Sequence, residues 1–194
     1  MNKHCNNVYR EGNVKSLAKA FLIIPGIQSA IGLAAGVAAL LIASGTMARE
    51  FVSFPQNYPS GTIIIKQSER KLYFTTGPGT AVRYPIAIGR AGKAWQGETY
   101  VQGKYIRPAW EAPWVVRQDH PQFSHVIPGG SLHNPMGAAA ITLGLSEVAI
   151  HGTTAGMRRS VGTAASYGCI RMYNEDVVDL FRRVSIGTRV VAIP

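Results

Sequence analysis

The sequence predicts a mostly β domain, a sandwich or open barrel, with one helix on its C-terminal side and an apolar segment ahead of it. Three observations carry this expectation. Short runs rich in β-branched and aromatic residues recur between turn residues. Glycine is abundant, at 21 of 194 residues, while only 15% of residues are charged, which suits strands and loops better than a helical bundle. Only toward the C-terminus do apolar residues (Val177, Leu180, Phe181, Val184) recur at helical spacing over a sustained stretch. The length fits one globular domain of ordinary size plus a tail.

The chain opens with a polar stretch holding Lys3, Arg10, Lys15 and Lys19 against Glu11. From Ala20 to Gly45 there follow 26 residues almost without charge, longer than the about 20 that cross a bilayer. Residues 1–48 thus read as a basic tail plus a signal peptide, cleaved after Gly45 or Ala48, or as an uncleaved signal-anchor. In both cases the basic end stays inside and the rest is exported, to a periplasm or cell envelope. Membrane contact is then expected only through an uncleaved anchor. Residues 49–61, with two prolines, read as a linker, and 62–194 as the globular domain.

Within that domain, Thr62–Lys66 and Lys71–Thr75 pair as a hairpin, and 76–79 form a turn. Ala81–Ile88 is a further strand, whose Pro85 suggests an edge or a bulge. Glu98–Pro108 is another strand. The segment 108–114, PAWEAPW, is a rigid loop whose tryptophans pack into the core or touch a ligand. Residues 117–137 form a long polar loop with His120, His125 and His133, and loops of that length are usually functional. The histidine spacings match no zinc pattern, so no metal or other cofactor is expected. Ala138–Leu143 and Glu147–His151 are buried strands, 157–160 is a basic turn, and 163–172 returns toward His151. Asn174 caps the helix, Glu175 and Asp176 begin it, Arg182 and Arg183 close it, and Gly187 ends it. Thr188–Ile193 is the closing strand.

The chemistry concentrates in 150–173, IHGTTAGMRRSVGTAASYGCIRMY. A thiolate is the strongest nucleophile among side chains, and a nearby imidazole that takes its proton makes Cys169 reactive at neutral pH. Gly168 leaves the backbone beside Cys169 open, so N–H groups there suit an oxyanion hole. Arg171, two residues on, shares a face with Cys169 if this is a strand, and its fork suits a carboxylate. The bland alternative is a buried thiol and a satisfied core histidine. Against it, Cys5 lies ahead of the apolar run and Cys169 beyond it, so an exported Cys169 stays unpaired, and an unpaired exported thiol points to reactivity.

His151-Gly152-Thr153, then Ser166-x-Gly168-Cys169-Ile170-Arg171-Met172 with 17 residues between His151 and Cys169, resembles the signature of the L,D-transpeptidase catalytic domain, the YkuD-like family. YPIAIGRAG, the tryptophan segment and IPGG…NPMG resemble further parts of that domain, so the likeness covers about 60–194. Two positions depart. Tyr167 stands where many members have His, and Trp95-Gln96-Gly97-Glu98-Thr99 replaces a Thr-Pro-x-Gly segment. The resemblance implies an L,D-transpeptidase-like β-sandwich or open barrel with a lid over the cleft near 117–137. It implies Cys169 as nucleophile, His151 as general base and acid, and the carbonyl of Gly152 or Thr153 orienting His151. Gly168 belongs to the oxyanion hole, and Arg171, Ser166, Tyr167, Thr153 and His133 to the substrate cleft. The substrate it implies is a peptidoglycan tetrapeptide stem that loses D-Ala to an amine on another stem. Some relatives attach a lipoprotein or outer-membrane protein, exchange the D-amino acid, or hydrolyse the bond. A carboxypeptidase of the same fold and a silent wall-binding module remain as alternatives.

Net charge is +10, of which +7 lies beyond residue 48, so an anionic partner is expected. No basic helix, aromatic RNA-binding signature or zinc-finger spacing appears, which argues against nucleic acid. A carboxylate-rich wall accounts for the charge equally well.

Overall fold

The computed structural model describes residues 49–194, and the apolar run expected as a signal or anchor lies outside them. The first strand, β1 (Glu50–Ser53), falls in the stretch expected as a linker. It pairs antiparallel with β4 (Thr80–Pro85), and Phe54 behind it is buried against Tyr73. Residues 49–61 are therefore partly built into the sheet. Next come β2 (Ile63–Lys66) and β3 (Lys71–Gly77), the expected hairpin, turned at Arg70 with a positive φ of 52°. β4 pairs with β3 on its other side, so it is an inner strand, and the predicted run to Ile88 stops at Pro85. The edge or bulge expected at Pro85 is instead a strand end, because proline has no N–H with which to carry the ladder on. The bulge lies opposite, in β3 between Thr75 and Gly77.

β5 (Ile88–Gly89) follows as a separate short strand. β6 (Gly97–Ile106) is the longest strand and shifts register between Val101 and Gly103. Its first half pairs with β13 (Arg189–Ile193), its second with β9 (Ala139–Leu143). The nine-stranded order β1-β4-β3-β2-β13-β6-β9-β10-β12 includes β10 (Ala149–His151) and β12 (Ile170–Arg171). Ile63, Leu72 and Val82 from one half share a core with Ile141, Ile150 and Ile170 from the other. Ile64 and Tyr73 alternate to the opposite face, where they pack with Phe54 and Ala81.

The helix α2 (Asn174–Arg183) closes this core with Val177 and Leu180 fully buried, as its spacing predicted. The cap differs. Tyr173 holds the N-cap position with no side-chain bond, and Asn174 is already helical. Two more pieces cover the cleft. β7 (Trp110–Glu111) pairs with β8 (Val126–Ile127), and between them lies a helix the sequence did not announce, α1 (Trp114–Asp119). β11 (Ala164–Ser166) pairs parallel with β5. Among the described residues no helix is long and apolar enough to cross a membrane.

Candidate active site

Strand β10 ends at His151, which is 3% exposed. β12 lies parallel beside it, with His151 opposite Arg171 in register, so the topology brings Cys169, one residue before β12, to the same end of the sheet. His151, Cys169, Arg171, Ser166 and Tyr167 all line one cavity of about 990 Å³, and His133 lines it from the covering loop. Thr153 does not. It is buried, its hydroxyl donates to the Met172 carbonyl at 3.3 Å, and Thr154 faces the cavity instead.

The imidazole is held from behind. His151 Nδ1 lies 2.7 Å from the Gly152 carbonyl, which can only accept, so Nδ1 carries the proton and Nε2 keeps its lone pair. Of the two carbonyls expected for this task, Gly152 is the one in place, since the Thr153 carbonyl accepts from Asn174 Nδ2 at 2.9 Å. Burial drives the His151 pKa down to about 4. Arg171 adds to the fall, and the Gly152 and Pro135 carbonyls oppose it. Burial also pushes the Cys169 thiol above its ordinary value. The Ala149 N–H and the Arg171 charge pull it back, and Glu147 adds to the rise. The Cys169 S–H points at the Glu147 carbonyl, 3.5 Å away, in the cavity that His151 also lines.

The turn at Cys169 is fixed on both sides. Gly168 has φ 126°, a region that only glycine enters freely. Its N–H donates to Ser166 Oγ at 3.1 Å, so in this state it is occupied. The Ser166 hydroxyl in turn donates to the Cys169 carbonyl at 2.6 Å. The Gly168 carbonyl accepts from the Trp95 indole at 3.2 Å. In a trans peptide the C=O and the next N–H point in opposite directions, so the Cys169 N–H faces away from Trp95. Among the described residues nothing accepts from it.

Among the described residues the Arg171 guanidinium makes one hydrogen bond, to Ser160 Oγ at 3.5 Å, and its buried Nε has no partner. A half-buried guanidinium without a carboxylate, facing a cavity, is suited to an anionic ligand. The neighbouring Arg158 and Arg159 are not part of this. Arg158 forms a fork with Glu175 and lies over Tyr173, 4.3 Å from its ring centre, and neither arginine lines the cavity.

The roof comes from 110–136. Trp110, Val116, Phe123, Val126 and Leu132 form its apolar underside. The tryptophans of this segment are not core residues. Trp110 lines the cavity and Trp114 is 62% exposed. The three histidines of the loop diverge. His120 stacks on Phe123 and lines the cavity, as His133 does, while His125 meets Arg117 and does not line it. A polar latch ties roof to floor. Tyr167 donates to Asp119 at 2.5 Å, Arg90 reaches the same carboxylate oxygen at 2.8 Å, and Arg90 lies 4.1 Å from the Tyr167 ring centre.

Four residues near the chemistry went unread in the sequence. Glu147 is a single acid in a turn and Asp119 a single acid at the end of the short α1. Trp95 stood out only as a departure from the family pattern, and Asn174 carried a cap signal that pointed elsewhere.

Comparison with known proteins follows the same lines. The model of the YkuD L,D-transpeptidase catalytic domain matches residues 60–191. The probable L,D-transpeptidase YbiS of Escherichia coli K12 is 31% identical over 175 residues, covering 85% of this chain and 55% of that protein. This chain spans about half the length of the curated relatives it matches. L,D-transpeptidase 3 from Mycobacterium tuberculosis shares the fold, with a TM-score of 0.52 at 14% identity over 69% of this chain and 60% of that one. A solved chain from Brucella melitensis, described as a probable carnitine operon oxidoreductase, is 34% identical with a TM-score of 0.51, over 78% of this chain and 96% of its own.

Proposed function

The chain belongs to the YkuD family of L,D-transpeptidase catalytic domains, and on that premise we propose that it is a cysteine-dependent L,D-transpeptidase acting on peptidoglycan peptide stems in the cell envelope. One observation carries the reading. A histidine whose Nδ1 is committed to the Gly152 carbonyl shares a roofed cavity with a cysteine and an arginine that has no acidic partner among the described residues.

The reaction runs in two halves. The Cys169 thiol turns from the Glu147 carbonyl toward His151, and Nε2 takes its proton as sulfur attacks the donor carbonyl. The Cys169 N–H, held free by the Trp95 bond behind it, stabilises the oxyanion. Collapse forms a thioester and breaks the C–N bond, and His151 hands its proton to the departing D-Ala amine. An acceptor amine then attacks the thioester, giving its proton to His151, and Cys169 leaves as the thiol. Arg171 binds a carboxylate of the stem, and Ser166 shapes the nucleophile turn. The apolar roof excludes water, which favours an amine over hydrolysis. The acceptor is the side-chain amine of a second stem. An amine on an envelope protein would be resolved by the same chemistry.

Incubating the protein with a disaccharide-tetrapeptide and weighing protein and products tests this. A Cys169 adduct with loss of D-Ala and a stem dimer in solution are expected, with no adduct on Cys169→Ala. An adduct that releases only tripeptide would make the protein a carboxypeptidase. No adduct with a thiol that alkylates freely would leave a wall-binding module.

A further inference from the structure

We propose that Asn174 is a positioning residue for His151, an inference that rests on the transpeptidase reading above. It sits at the first position of α2, where its side chain does not cap the helix. Its carboxamide is plugged into the loop after β10. Oδ1 accepts from the backbone N–H of Ala138 at 3.0 Å and of Thr153 at 3.1 Å, and Nδ2 donates to the Thr153 carbonyl at 2.9 Å. Three of its four bonding directions are thereby used on backbone.

The slot is made for this group. Gly137 and Gly152 flank it, and a Cβ on either would overlap Asn174 Oδ1. Gly152 is also anchored by its own N–H, shared between the Met136 carbonyl at 3.0 Å and the Ala139 carbonyl at 3.1 Å. The peptide that matters joins Gly152 to Thr153. Asn174 holds its N–H, and because a trans peptide directs its C=O the opposite way, the Gly152 oxygen is turned at His151 Nδ1, 2.7 Å off. Asn174 therefore sets the tautomer of an imidazole it does not touch. Without it the Gly152 peptide can rotate, the proton on Nδ1 loses its acceptor, and Nε2 is no longer held as the base.

A double-mutant cycle tests this. Donor-peptide acylation of Cys169 is measured for the wild type, Asn174→Ala, His151→Ala and the pair, with melting curves for each. Asn174→Ala is expected to lower kcat at least tenfold with KM within twofold. In the His151→Ala background the same change is expected to cost less than twofold, because there is then nothing to position. An equal loss in both backgrounds, or wild-type kcat in Asn174→Ala, overturns the proposal. Should Asn174→Ala not fold, Asn174→Asp decides. It keeps the Oδ1 acceptor for both N–H groups but loses the Nδ2 donor to the Thr153 carbonyl, so it is read in the same cycle: a loss larger with His151 than without it supports the proposal, and an equal change in both backgrounds overturns it. If the wild type is not acylated by the peptide, the function reading fails, and the same cycle read from iodoacetamide alkylation at pH 7 still decides on Asn174.

Discussion

Trp95→Phe removes the indole N–H that holds the Gly168 carbonyl while keeping a ring against the core. The bond is neutral and 3.2 Å long, and such a bond is worth about 1 kcal/mol net, about 1.5 at most. If that energy holds the Gly168–Cys169 peptide in the orientation that stabilises the oxyanion, its loss slows acylation about five- to tenfold. The effect stays below the roughly 100-fold or more of deleting a whole oxyanion donor, because the Cys169 N–H remains. The assay compares two reactions of one thiol. Acylation by donor peptide passes through an oxyanion, whereas iodoacetamide alkylation is a displacement at carbon and does not. Both rates are read from intact protein mass. Acylation should fall and alkylation should hold within about twofold. Unchanged acylation, or an equal fall in both, would refute the role given to this peptide.

Other consequences can be measured as readily. Because His151 titrates at about 4 and must be neutral to act, acylation should persist down to about pH 5. Arg171→Met removes a charge that lowers that pKa, so the acid limb of kcat/KM should move upward, and an unmoved limb would count against the coupling. Asp176 is buried with an unpartnered Oδ2, and burial, with the Glu175 charge adding, raises its pKa from 3.8 to about 6. A raised carboxyl pKa gives stability that is full below pH 3.8 and lost as pH rises through 6. The shift bounds the loss at about 3 kcal/mol, and with relaxation about 1–2 kcal/mol is expected. Asp176→Asn should therefore raise Tm by a few degrees at pH 8 and not at pH 4, as thermal melts would show. Tyr167→Phe cuts one strand of the roof latch. The share of acyl-enzyme lost to water, read as tripeptide against dimer, should rise at least twofold.

That His151 and Cys169 share one cavity was legible because they stand in a motif of fixed residue types at a narrow spacing. Ile63–Lys66 was legible as a short continuous β-branched run and the α2 face because period 3.6 survives in it. What failed is instructive in each case. α1 has only six residues and one buried position, Val116, too few to show a period. β1 is short and mostly exposed, and only its partner β4 makes it a strand. Asn174 had the residue type and place of a cap, and the decision went to two backbone N–H groups 21 and 36 positions away in the chain. The Tyr167–Asp119 bond spans 48 positions and was equally invisible.

The place of β13 bears on how the molecule is made. It is the final strand in sequence, yet it lies mid-sheet, parallel to β2 and antiparallel to β6. Until Arg189–Ile193 is made, β2 and β6 have no common neighbour, and the half-sheet holding His151 meets the half holding Ile63 through the Ala87–Arg171 backbone bridge. Pairing Val190 with Ile63 closes nearly the whole domain at once, so folding is dominated by distant contacts and is correspondingly slow. A sheet whose central strand is the last of its strands to be made is completed only when that strand is in place.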